Sequence, residues 1–171
     1  MHELPRRDGS DSRYEYSRDL TYSVMFTFML ARETRSPRLE ATHLLGGLYI
    51  ACWERIARYC KHRDQFEAMI LEECRLLDPR WFYWIRAYEQ SDRRGREVFW
   101  KMSPEVEQIY ALAKQLAESR RDPRSNSALM VSPEDFLLAI AKCPDLEIGA
   151  KLIRSRIKLD ALEAAVKRRA T

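Results

Sequence analysis

The chain has 171 residues, 46% of them hydrophobic, with 30 basic and 26 acidic side chains and a formal net charge of +4. This is a globular composition with enough apolar side chains for a core, on a length that suits one compact domain. The charge is too mild to point to nucleic acid, because its basic runs (Arg6-Arg7, Arg93-Arg94, Arg120-Arg121, Lys167-Arg168-Arg169) are dispersed among acids.

In chain order, residues 1–17 are polar, with Pro5, Gly9 and several serines, and read as a flexible arm with no apolar signal segment. A helix is predicted from Asp19 or Thr21, either of which could cap it, to about Arg35, where Ser36-Pro37 stops it. Its apolar run at residues 22–31 is about half the length a membrane span needs. A second helix is predicted over Glu40 to Ala51 and a third over Trp53 to Tyr59, continuous with it or just after it. A fourth runs from Asp64 to Leu76, with Phe66, Met69, Ile70, Cys74 and Leu77 at the helical period.

Asp78-Pro79 then opens a helix carrying Trp81, Trp84, Ile85 and Tyr88 on one stripe. Trp81, Phe82, Tyr83, Trp84 and Trp100 exceed what one helix face can bury. Part of this segment, Trp81 and Trp84 foremost, is expected to form a partner-binding or self-association surface, a homodimer included. Ser103, Pro104 and Glu105 make a strong helix start, with Val106, Ile109, Tyr110, Ala113, Leu116 and Ala117 on the apolar face. The start signal returns at Ser132-Pro133-Glu134, and two shorter helices complete the chain. No strand is predicted, and the fold class is all-α.

The order of elements repeats. "EATHLLGGL" at 40–48 lies opposite "SPEDFLLAI" at 132–140, matching Leu45 to Leu137, Gly47 to Ala139 and Leu48 to Ile140. Thr21 aligns with Ser103, Ala31 with Ala113, and "DQFEAMI" at 64–70 with "DALEAAV" at 160–166. The small residues Gly47 and Ala139 would let a neighbouring helix approach closely. Leu44, Leu45 and Leu48, with Phe136, Leu137 and Ile140, would fill a core shared by both halves. Four short helices bury too little surface alone, so two copies are expected to pack about a pseudo-twofold axis: repeat one over 18–77, an aromatic linker over 78–102 and repeat two over 103–168, in one domain from 18 to 171.

This doubled pattern resembles the Clp N-terminal domain, the double repeat at the front of Clp ATPases, over about residues 18–168. The segment "WFYWIRAYEQ" departs from that family's short linker. The resemblance implies a domain that receives substrates and adaptor proteins for a Clp chaperone-protease. It also implies two related pockets for phosphorylated arginine, in which a helix-start hydroxyl holds phosphate and a carboxylate pairs with the guanidinium. The matching positions are Thr21 and Ser103 for the hydroxyls, and Thr42 and Glu134 for the acids. Thr42 replaces the acid of the first copy, and Glu40 stands two residues away. At most one pocket is expected to be intact, built around Glu134.

His43 falls where the family has its histidine, and the second copy has Asp135 there. It is expected to be a capping or surface polar group. The four cysteines form no C-x-x-C pair and are expected to be free, buried thiols in a reducing cytoplasm. The sequence contains no G-x-x-x-x-G-K-[ST], G-x-S-x-G or H-E-x-x-H motif. Neither a catalytic centre nor a cofactor or metal is expected.

The function expected is that of a non-catalytic, cytoplasmic protein-binding module. Its partners would be a Clp ATPase, an adaptor or a substrate, with no membrane partner. It would be either free-standing or a fragment of a larger Clp ATPase, and the start at Met1 favours the former. The alternative is a small basic helical regulatory protein that binds nucleic acid, which steep salt dependence would reveal.

Overall fold

The computed structural model describes residues 13–74, 101–121, 128–143 and 146–168. Most of the described chain is helical, and four strands of two or three residues connect the helices. The order is β1 (Tyr14–Tyr16), α1 (Arg18–Glu33), β2 (Arg38–Leu39), α2 (Ala41–Ile56), a 3-10 turn (Ala57–Tyr59) and α3 (Arg63–Glu73). It continues with β3 (Lys101–Met102), α4 (Pro104–Glu118), β4 (Leu129–Val131), α5 (Pro133–Ala141), α6 (Glu147–Arg154) and α7 (Leu159–Arg168). No helix among the described residues is long and apolar enough to cross a membrane.

The strands correct the expectation that there are none. β1 runs parallel to β4 and β2 runs parallel to β3, so each pairing joins the first half of the chain to the second. A third, isolated antiparallel bridge joins Cys60 to Ile157. Segments of two or three residues are too short to show an alternating pattern, and their partners are remote in sequence.

Local chemistry accounts for the helix ends. Ser17, rather than Asp19 or Thr21, caps α1, with its hydroxyl accepting from the Leu20 amide at 3.3 Å. Thr21 lies one turn further in, and its hydroxyl donates to the Ser17 carbonyl. Ser17, and not Thr21, thus plays for α1 the capping part that Ser103 plays for α4. α1 ends at Glu33, where Thr34 donates its hydroxyl to the Leu30 carbonyl and Arg35 turns left-handed at φ 51°. The Arg35 and Ser36 amides close this end on the Arg32 and Ala31 carbonyls. The second and third predicted helices are one helix, α2, broken at Cys52 (φ −132°, ψ 17°).

α5 lies at the centre. All nine of its residues are buried, as expected of a helix surrounded on every side. Leu44, Leu45 and Leu48 of α2 and Phe136, Leu137 and Ile140 of α5 are fully buried in one cluster. Tyr110 of α4 stacks edge-on against Phe136, with ring centroids 4.7 Å apart. α1 crosses α2 at Gly47, where a Cβ atom would collide with the Ser23 carbonyl oxygen and Thr27 Oγ1.

Candidate functional site

The start of α2 is where polar groups and open space coincide. Glu40 is the N-cap, and His43, three residues on, is buried. The His43 Nδ1 accepts from the Glu40 amide at 3.0 Å, completing a capping box. That contact places the ring proton on Nε2, which lies 2.8 Å from Thr34 Oγ1 at the end of α1. His43 is thus a capping group, as expected, but an interior one rather than a surface one. With both ring nitrogens engaged, it has no lone pair left for a metal or a substrate proton.

Burial holds the His43 imidazole below its ordinary range, against a smaller opposing pull from Glu40. The unfolded chain takes up this proton near pH 6.5, before the folded protein does. The stability due to His43 is therefore complete above about pH 6.5 and declines as pH falls towards the folded value. Urea unfolding between pH 7.5 and 5.5 should show this loss, with a slope of at most about 1.4 kcal/mol per pH unit. His43→Gln should flatten the profile, and an unchanged slope in that variant would contradict the assignment.

Beside this capping box lies a cleft of about 430 Å³ lined by Thr34, Arg35, Ser36, Pro37, Glu40, Thr42, His43, Glu73 and Cys74. A second lobe of about 260 Å³ shares Glu40 and Thr42 and adds Ala41, Glu105, Leu146, Glu147 and Ile148. Among the described residues, three glutamates and no lysine or arginine line this smaller lobe. Arg38 pairs with Glu40 at 2.7 Å, and Lys151 pairs with Glu147 at 2.9 Å and with Glu73 at 2.7 Å. Ser103 is fully buried nearby: its amide donates to the Leu39 carbonyl and its hydroxyl donates to Glu105. The Ser103 hydroxyl also accepts from the Val106 amide as the α4 cap, so it is not exposed to a ligand.

The start of α5 is closed. Glu134 is 2% exposed, and its Oε1 accepts from Arg55 Nε at 2.6 Å. Arg55 also pairs with Asp19 of α1 at 2.8 Å. The carboxylate expected to receive a ligand's guanidinium thus already holds one from the chain itself. Sequence reasoning missed Arg55 because no local pattern links the last turn of α2 to an acid 79 residues away.

Trp81 and Trp84, with the rest of the aromatic segment, lie outside the described residues. All four cysteines are free and buried, and burial pushes the thiols of Cys52, Cys60 and Cys74 up to about 12, so they stay protonated at neutral pH. Among the described residues, no group of three or more His, Cys, Asp or Glu side chains could hold a metal ion. No protein-family model matches the sequence, and no curated protein matches it.

Proposed function

We propose that the chain is a non-catalytic, cytoplasmic protein-binding module of the Clp N-terminal domain type, built from two four-helix repeats, that receives a partner protein and modulates a Clp chaperone-protease. The observation that carries this reading is the exchange of strands. The strand before α1 pairs with the strand before α5, and the strand before α2 pairs with the strand before α4. Two copies of one unit related by a twofold axis would pair in this reciprocal way.

The side chains support the same reading. Three residues into α2, His43 caps Glu40 and reaches Thr34 at the end of α1. Three residues into α5, Asp135 caps Ser132 and reaches Arg120 just past the end of α4. Different chemistry performs the same two tasks at matched positions. The break of α2 at Cys52 likewise corresponds to the gap between α5 and α6.

The partner chemistry follows from the open lobe. Arg38 already pairs with Glu40 and Lys151 with Glu147, so Glu105 is the carboxylate of the lobe that suits a lysine or arginine side chain and disfavours a phosphate group. Because Arg55 occupies Glu134, this reading assigns the site to an unmodified basic side chain rather than to phosphorylated arginine. The test is capture from the native cell by the immobilised full chain, with mass spectrometry of the bound proteins. Clp ATPase or protease subunits, or their adaptors, should be retained. Glu105→Lys should reduce their recovery about tenfold, the equivalent of about 1.4 kcal/mol. Millimolar arginine should compete and millimolar phosphoarginine should not. Recovery of no Clp component would overturn the functional reading, and stronger competition by phosphoarginine would overturn the ligand assignment.

A further inference from the structure

The bridge between Cys60 and Ile157 gathers positive charge that the sequence disperses. The backbone bonds from Lys61 N–H to the Arg156 carbonyl and from Lys158 N–H to the Tyr59 carbonyl zip residues 59–61 against 156–158. Cys60 and Ile157 are buried, while their neighbours Lys61, Arg156 and Lys158 are exposed. Arg58, Arg63 and Arg154 flank the same short bridge, and all six cations are exposed.

Little offsets this charge. Arg63 pairs with Glu54 at 2.9 Å, while Asp64 and Asp160 are the other acids of the two segments. Among the described residues, Arg58, Lys61, Arg156 and Lys158 have no carboxylate within ion-pair distance. The backbone bond from Lys61 to Arg156 brings two like-charged residues together. Arg156 is also left-handed, at φ 59°, where a residue with a Cβ atom is strained.

We propose that this bridge is a binding surface for a nucleic-acid phosphate backbone, engaged without sequence preference. Arginine forks and lysine ammonium groups both suit phosphate oxygens. α3 begins at Arg63 with no side-chain cap from His62, and α7 begins directly after Lys158, so two helix N-termini lie at this bridge beside the carbonyl end of α6. Among the described residues, no exposed aromatic side chain belongs to the cluster, so these residues offer bases no stacking platform. This surface is distinct from the cleft at α2 and does not depend on the Clp reading.

The test is fluorescence anisotropy with the full chain and a labelled mixed-sequence 20-base-pair duplex between 50 and 200 mM salt. Binding should be micromolar at low salt, with log Kobs falling against log salt at a slope of about −3 to −4, as for some four neutralised phosphates. Lys61→Gln/Arg156→Gly/Lys158→Gln should weaken binding at least tenfold and flatten the slope by about 2 to 3. The glycine also relieves the strained backbone, so this variant should keep its fold, which its thermal midpoint checks. Lys114→Gln/Lys142→Gln/Lys167→Gln removes equal charge elsewhere and should bind nearly as the parent does. No duplex binding at 50 mM salt, or equal loss in both variants, would overturn the proposal. So would polyglutamate displacing the duplex at lower charge concentration than competing DNA, which would assign the surface to an acidic protein segment.

Discussion

Asp135→Ala should lower the unfolding free energy by about 4 kcal/mol, a large part of the total for a domain of this size. Asp135 is fully buried, and its carboxylate takes four hydrogen bonds. Arg120 supplies two of them, one from each terminal nitrogen, with Nη2 2.9 Å from Oδ2. The Ser132 amide and hydroxyl supply the other two, each at 2.9 Å. Arg120 also donates to the Leu116 and Met130 carbonyls, so one guanidinium fastens the end of α4, strand β4 and the start of α5. Its side chain is 8% exposed. Removing the carboxylate leaves that cation buried with only carbonyl dipoles, and uncaps α5 as well. Asp135→Asn keeps an acceptor for Ser132 but loses the charge, and should fall between the parent and alanine. Arg120→Met/Asp135→Leu removes both charges and should recover much of the loss, because a buried pair is worth far less than either partner stranded alone. Urea midpoints of the four proteins measure the series. A double variant less stable than Asp135→Ala would refute the assignment of the loss to an orphaned charge.

The legible part of the fold was the part written in local periodicity. The α4 and α5 starts at Ser103 and Ser132 follow from Ser-Pro-Glu, in which cap, fixed φ and first-turn acid agree. The six central apolar residues were legible because leucine and phenylalanine at helical spacing have one favourable destination. Two kinds of feature were not legible. The first is short-range competition. Ser17, Asp19 and Thr21 can all cap a helix, and the winner depends on β1 docking beside β4, where the Ser17 amide bonds the Val131 carbonyl. The second is long-range charge pairing. Nothing near Glu134 announces Arg55, and nothing near residue 60 announces Arg156, because each contact joins residues from opposite halves of the chain. The candidate site suffered most, since it was assigned residue by residue and its openness is a matter of which remote cation arrives. Thr42, the position lacking its acid, borders open space, while Glu134, the position keeping it, is occupied.

Gly47→Ala and Gly46→Ala should separate sharply, although the residues are adjacent and both buried. At Gly47 the added methyl meets the backbone of α1: the Ser23 carbonyl oxygen, Thr27 Oγ1 and, at 3.0 Å, the Thr27 amide nitrogen. The Ser23 carbonyl already accepts the Thr27 hydroxyl at 2.9 Å, so the methyl would enter a bonded turn that cannot bend aside. The helices would have to move apart, loosening Leu30 and Leu20 of α1 and Leu44 and Leu48 of α2, all buried in the same core. Overpacking of this kind costs about 3 kcal/mol, from which alanine's better helix propensity recovers at most about 1 kcal/mol. The net loss of about 2 to 3 kcal/mol should lower the thermal midpoint by roughly 5 to 10 °C. At Gly46 the methyl meets the Leu30 Cδ1 at 2.5 Å, Cys74 Sγ at 3.1 Å and Cys74 Cβ at 3.3 Å; the closest of these is the end of a side chain that can rotate, and none is backbone. There the steric and propensity effects should nearly cancel, leaving a change within about 0.5 kcal/mol. Adding Thr27→Ala to Gly47→Ala removes the hydroxyl contact but not the backbone contacts, so it should restore only a minor share. Calorimetry on the three variants decides the matter. Equal midpoints for Gly46→Ala and Gly47→Ala would show that the α1–α2 crossing tolerates a wider spacing than its backbone contacts imply.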